Sequence, residues 1–495
     1  MKKIVTLVVV LVLLLVVAPF GVGKLAEKRL NEGLDKAITE APYIKVVDRK
    51  WSGGWFKSEQ VVTFELFGDW TKALNDAMKK ESAASGSPME PADSEAATDP
   101  TDPPLADVPP AKPDEPLRFT VRNEILHGPV LGLSGFGIAR VDSHLVLTEE
   151  TQKKVVEIFG PKDPLEVSSR VGFFGGGTTT FKSEGRTVTP KPGKLSITWD
   201  TFKVATGYSK NADSYDIDGK WPKFEINDPS DGTHFVITDM TLVGDGKRVR
   251  GDLYDGAFKF GIAKTSITGK DGNQVDLADL QYVVNTDSKG DFTDMGAKFG
   301  SGAVKSKQLT TLGVDIKEVH YDLSFRHLHS ETLEKLLADI KSLYTKPPPT
   351  AADAEKVMFA PFKERGAELL KYDPELVLDR IGLATPEGDG YIKGTITLKG
   401  ATPEDFAPGS MALIGKIHAD LTIDVSEKMI QKFPNGSTAA GGAVDSGYAK
   451  REGDRLICKI VFADGKLTVN GKPQAIPGLG GPPPGAAGEG PPPQE

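Results

Sequence analysis

Ile417, Ala419, Leu421, Ile423 and Val425 alternate with Lys416, His418, Asp420, Thr422 and Asp424. A period of two is the repeat of a strand whose side chains point by turns to opposite faces, here one apolar and one wet. Val319, Tyr321, Leu323 and Phe325 repeat the pattern against Glu318, His320, Asp322, Ser324 and Arg326, and Phe258, Phe260 and Ile262 repeat it again. In RLICKIVFADGKLTVNG, residues 455–471, Asp464 and Gly465 separate two β-rich runs, as in a hairpin. The fold class expected is mainly β (α+β): an N-terminal transmembrane helix, then a large curved antiparallel sheet over 117–476 with a few helices. Helical spacing is confined to 25–38, 151–159, 330–344, where Leu333, Leu336, Leu337, Ile340 and Leu343 share a stripe, and 350–372, which Pro361 is expected to break.

Residues 1–23, MKKIVTLVVVLVLLLVVAPFGVG, decide location. As a helix at ~1.5 Å per residue, the uncharged stretch 4–23 matches the ~30 Å hydrocarbon core of a bilayer. A removable signal peptide has an apolar region of only about 7–15 residues, so a retained signal anchor is expected, although Gly21 and Gly23 fit a cut before Lys24. Lys2 and Lys3 favour a cytoplasmic N-terminus, with Lys24, Lys28 and Arg29 blunting the signal. The expectation is a single-pass bacterial inner-membrane protein, in contact with the bilayer through residues 4–23 and with its bulk in the periplasm. Residues 24–80 then form a membrane-proximal helix and first strands.

Two segments are too poor in apolar residues to offset chain entropy: the acidic Pro-rich insert 81–116 and the tail 477–495. Nine acidic residues and one basic between 81 and 115 carry -8 of the net -9, which leaves about -1 for the rest. A near-neutral body gives no electrostatic argument for nucleic acid. The single cysteine, Cys458, excludes an internal disulfide and a multi-cysteine zinc site.

No catalytic constellation stands out. His327 and His329, two apart on one strand, share a face that could bind a metal, but that face also carries Leu323 and Phe325, and no third ligand is near in sequence. His127, with no nucleophile motif near it, reads as the start of a Gly128-Pro129 turn. Asp287, Asp291 and Asp294, like Asp213, Asp216 and Asp218, lack calcium-loop spacing. Gly175 to Gly177 lack the Lys-Ser/Thr of a phosphate loop. Trp51, Trp55 and Phe56 read as an aromatic anchor for the first strand. No catalytic, cofactor or metal site is therefore expected.

WSGGWFKSEQVVTFEL (51–66), HGPV (127–130), LLKYDPELVLDRIGLATPEGDGYIKGTITLKG (369–400) and RLICKIVFADGKLTVNGKP (455–473) together resemble the YdgA-like family of bacterial inner-membrane-anchored proteins of unknown function. The family motif maps onto Gly54, Phe56 and Ser58, with Gly53 where relatives tend to have Arg, and onto His127, Gly128 and Pro129. The resemblance implies a β-rich periplasmic body and no established activity. The function expected is a non-enzymatic binding or scaffold module, with a lipid or other hydrophobic ligand on the curved sheet against core or ligand-facing Ile417, Leu421, Ile423 and Val425. The alternative is a module that docks an envelope protein complex without a ligand.

Overall fold

The computed structural model describes residues 2–69, 71–72, 116–191, 195–343, 351–402, 405 and 412–475. The insert 81–116, all but its last residue, and the tail 477–495 lie outside the described residues, as do the side chains of 2–18.

Among the described residues, twenty-three strands form one sheet. The first nine are β1 Ile44–Gly53, β2 Lys57–Leu66, β3 Leu117–His127, β4 Ala139–Val146, β5 Glu166–Val171, β6 Gly177–Ser183, β7 Arg186–Lys191, β8 Leu195–Trp199 and β9 Phe202–Tyr208. The long central strands follow: β10 Ser214–Asp228, β11 Thr233–Arg250, β12 Leu253–Thr268, β13 Gln274–Lys289 and β14 Phe292–Ser301. The last are β15 Val304–Ser306, β16 Glu318–His329, β17 Glu375–Thr385, β18 Gly388–Leu398, β19 Ile417–Ser426, β20 Lys450–Glu452, β21 Arg455–Ala463, β22 Lys466–Val469 and β23 Lys472–Gln474. Every pairing is antiparallel and most join neighbours in sequence; the path skips from β6 to β9, β14 to β16 and β19 to β21, leaving β7–β8, β15 and β20 as short side pairings. The expected hairpin is present: β21 and β22 are joined by Asp464 and Gly465, with φ of 53° and 72°, the left-handed pair of a type I′ turn.

The alternation of the central strands slips by one residue along a line across the sheet. Pairing passes over Asp239 on β11, Ala263 on β12 and Asp279 on β13, and both aspartates are left-handed, with φ of 52° and 48°. Asp tolerates that region better than most residues with a Cβ. As a result Phe235 and Ile237 before the slip share a face with Met240 and Leu242 after it. Trp221 and Phe224, three apart on β10, would point to opposite faces of an unbroken strand, yet their rings are 5.1 Å apart.

Four longer helices accompany the sheet: α1 Lys2–Glu40, α2 Glu149–Phe159, α3 Ser330–Leu343 and α4 Ala351–Leu369. Helix α1 is continuous through Gly21 and Gly23, so the expected anchor and the expected membrane-proximal helix are one element. Among the described residues no helix is long and apolar enough to cross a membrane. Helix α2 opens on Thr148, whose hydroxyl accepts from Thr151 N, and stops at left-handed Gly160. Leu333 and Leu336 of the α3 stripe are buried with Leu253 and Leu369. Helix α4 departs from expectation by running through Pro361. That residue is buried, and Arg365 bonds Asp339 of α3 at 2.7 Å, so packing on α3 outweighs the one backbone bond that proline removes.

Candidate functional site on the apolar face of the sheet

The pairing register fixes which side chains share a face, because directly opposed residues point the same way. One row runs Leu242, Phe260, Tyr282, Phe299, Tyr321, Ile381, Ile392, Ile423 and Cys458, from β11 to β21. The next runs Val284, Ala297, Leu323, Leu378, Gly394, Leu421, Ile460 and Val469. A row on the other face reads Gln281, Gly300, His320, Gly382, Tyr391 and Asp424. The sheet is thus one-sided over about ten strands, and its apolar face is treated differently along its length.

Over the N-terminal strands the face is closed by α1. Ala26 is buried with Ile125, Ile138, Ala139, Val141 and Val171, with Val22, Leu30 and Trp51 packed around them. Gly23 sits on the His127 ring: a Cβ there would come within 2.4 Å of it, so no larger residue fits without displacing the helix. Below the ring, Ser58 Oγ lies 2.8 Å from His127 Nε2, and Nδ1 is 3.2 Å from the Trp55 carbonyl. Ser58, on the neighbouring strand and 69 positions away in sequence, thus supplies His127 with a hydroxyl partner that the absence of a local nucleophile motif did not reveal. Both are buried, which suits a structural bond between two polar groups removed from water. The remaining motif residues close the same corner. Gly54 N donates to Lys57 O at 2.9 Å, the Phe56 carbonyl accepts from His127 N at 2.9 Å, and Gly128 N donates to Ile138 O at 2.8 Å, ahead of a cis bond to Pro129.

A polar ladder, which the sequence reading missed, ties α1 to the sheet. Ser143 donates to Asn123, Asn123 to Gln60 and Gln60 to Asn31 of α1, at 2.7, 3.0 and 3.0 Å. Arg49 adds bonds to Asn31 and Asp35. Beside the ladder, between α1 and the sheet, lies a cavity of about 800 Å³, lined by apolar Val62, Phe64 and Val141, by Tyr208 and by the charged Arg29, Lys36, Glu40 and Arg248. Burial pushes the Tyr208 hydroxyl pKa up. At the far end of α1, Lys341 of α3 bonds Glu40 at 2.6 Å and Asp252 at 3.1 Å. Burial alone would lower the Lys341 pKa, but the two carboxylates more than offset it and hold the ammonium above its ordinary value.

Past α3 the apolar rows are open among the described residues until their C-terminal end, where Met429 lies over Gly390 and where Leu456 and Val469 are buried. Tyr282, Phe299, Tyr321 and Phe325 are 41, 45, 50 and 49 % exposed on three adjacent strands. Ile417, Leu421, Ile423 and Val425 lie on β19 of the same face, half-buried and outside both buried clusters. Burial pushes the Cys458 thiol up, as expected for an unreactive group in an apolar row.

The other sequence candidates fall into turns and pairs. His327 is left-handed at φ 59°, so it breaks the alternation assumed for it; its ring stacks on Phe292 and bonds the Tyr372 carbonyl at 2.7 Å. His329 stacks on Tyr372 and bonds Thr332 at 2.9 Å. Asp294 accepts from His327 N and Asp287 pairs with Lys289. Among the described residues no three His, Cys, Asp or Glu converge as a metal site. Gly172 N bonds Gly176 O, which makes the triple-glycine run the turn between β5 and β6. Trp51 packs against the buried cluster, whereas Trp55 and Phe56 are half exposed at the β1–β2 turn.

Comparison with curated proteins and with solved structures returns no match. A bacterial family model does match, over residues 1–477, and so spans α1 and the whole sheet; the chain belongs to this bacterial protein family of unknown function, DUF945.

Proposed function

We propose that this is a membrane-anchored binding protein of the bacterial envelope that holds a lipid or another elongated hydrophobic ligand on the uncovered apolar face of its sheet. The observation that carries the reading is the row Tyr282, Phe299 and Tyr321, three large apolar side chains about half exposed on adjacent strands and continuous with Ile381, Ile392 and Ile423. A contiguous exposed apolar strip on a one-sided sheet is a liability unless something occupies it. The strip is open and long rather than a closed pocket, which suits an acyl chain better than a compact ligand. No nucleophile, base and oxyanion donors converge on it among the described residues, so the reading is of binding rather than turnover.

Docking through a sheet edge is less well supported. Edge strand β1 carries Lys45, Asp48, Arg49 and Lys50 and a bulge between Val46 and Asp48, while β23 at the other end is three residues long and contains Pro473. Charge, bulges, proline and shortness are the features that keep an edge from pairing.

Native mass spectrometry of the full chain released from mild detergent tests the reading. Phospholipid-mass adducts are expected on the wild type and absent from Leu421→Asp, whose carboxylate would sit in the strip, while Asp420→Asn on the opposite face keeps them. A bare wild-type chain, or adducts equal in both variants, would overturn it.

A further inference from the structure

The three hairpin turns β1–β2, β3–β4 and β5–β6 join consecutive antiparallel strands, so they emerge from one edge of the sheet. Their tips are apolar. Trp55 and Phe56 stand on the first turn, Val130 and Phe136 on the second, and Phe173 and Phe174 on the third, all substantially exposed, with Phe136 at 71 % and Phe174 at 91 %. Six such side chains on adjacent turns make a patch rather than scattered single residues.

Helix α1 leaves the sheet at this same edge. Gly23 packs on His127, the last residue before the second turn, and Ala26 lies one turn of helix inward among Ile125, Ile138 and Val141. From there the same helix continues from Val22 back to Lys2. Those 21 residues span about 31 Å at 1.5 Å per residue, the thickness of a hydrocarbon core, and their sequence is almost wholly apolar.

We propose that the tips of these three turns form a bilayer-docking surface, seated in the interfacial layer around the point where α1 enters the membrane. Tryptophan and phenylalanine suit that layer because part of each ring can stay at the headgroups while the rest reaches the acyl chains. Seating them would fix the tilt of the sheet against the membrane, which a single helix passing through could not do alone. The occupant is a phospholipid surface rather than a second copy of the chain, because the apolar continuation of α1 starts at Gly23, against His127 at the base of the second turn, and a partner protein there would have to share that place with lipid. The proposal shares the anchor reading of residues 4–23 but is independent of whether the uncovered sheet strip holds a ligand.

Full-length Cys458→Ser protein carrying Phe136→Cys, Phe174→Cys or, on the far β12–β13 turn, Asp271→Cys would be labelled with an environment-sensitive fluorophore. Each would be reconstituted into phosphatidylethanolamine–phosphatidylglycerol vesicles with or without brominated acyl chains. Labels at 136 and 174 should be quenched several-fold more than the label at 271. In parallel, a photoactivatable phospholipid on the unmodified chain should cross-link to peptides containing residues 55–56, 136 and 173–174. Protein that floats with the vesicles while all three labels quench alike and cross-links miss the turns would overturn the docking surface and spare the anchor. Protein that fails to float would overturn both. Cross-linking of the tips to a second copy in place of lipid would replace the bilayer by a dimer.

Discussion

The N-terminal strands β1–β6 and the strands from β13 to β21 are written in the same alternating pattern, yet they end in different states. In the first region α1 closes the apolar face, and Ile125 and Ile138 are 1 % and 0 % exposed. In the second, Tyr282, Phe299 and Tyr321 stay 41–50 % exposed, and only the C-terminal end is closed, where Met429 of the short helix Glu427–Ile430 lies over Gly390 and where Leu456 and Val469 are buried. Alternation therefore specifies which side of a strand is apolar, but a second element must decide whether that side becomes a core. The covered region also carries the polar devices, Ser58–His127 and the Asn31–Gln60–Asn123 ladder, because a helix can be held in one place on a sheet only by groups that fit one way.

The sharpest way to break this comparison is to delete the same kind of volume on both sides. Ile125→Ala should lower unfolding free energy by roughly 2–5 kcal/mol, through lost transfer energy and a cavity that α1 cannot fill. Leu421→Ala, at a half-buried site of the uncovered strip, should fall well below that range, since water already reaches it. Urea melts followed by circular dichroism would measure both. Equal losses would mean that the strip is a closed core and that the two regions do not differ.

A smaller effect is expected from Ser58→Ala. It leaves His127 Nε2 buried with no partner, and a buried polar group stripped of its bond costs about 1–3 kcal/mol. Ser143→Ala, at the end of the ladder and in contact with the cavity, should cost less, because water can replace the hydroxyl. If the two losses come out in the reverse order, the ladder rather than the Ser58–His127 pair holds the helix.

Much of the second region was legible in sequence, and less of the first. Strand β19, the 455–471 hairpin and the α3 stripe follow from local periodicity, which needs only neighbours along the chain. The contact of Ser58 with His127 bridges 69 positions, and polar residues such as Gln60 and Asn123 on an inward face read as interruptions of a strand rather than as a lock. Gly23 read as a cleavage-site residue, yet it is where the helix touches an imidazole. The slip at Asp239 and Asp279 was hidden because one left-handed residue shifts the phase without altering composition. Nothing local in the sequence could reveal that no described element covers the strip at Tyr282, Phe299 and Tyr321, because the presence or absence of a layer is a property of the whole fold.

The smallest expected effect extends the comparison to the long strands between the two regions, whose outer face is braced by side-chain pairs rather than by a core. Glu225 on β10 lies 2.7 Å from Lys223 and 2.7 Å from His234 on β11. The hydrogen bond from Lys223, then that from His234, holds its carboxyl below the ordinary value of 4.5. A carboxylate with a depressed folded-state pKa adds stability that is present above the unfolded value and disappears as pH falls through the folded one. Acid should therefore weaken this part of the sheet below about pH 4.5. Glu225→Gln should remove that share of the acid limb and leave neutral-pH stability lower by less than ~1 kcal/mol, the range of a solvent-screened pair. Thermal melts of both chains between neutral pH and the acid limb would show the curves converging as pH drops. Curves that stay parallel would mean that the pair does not couple β10 to β11, and that the long strands are held by their backbone ladder alone.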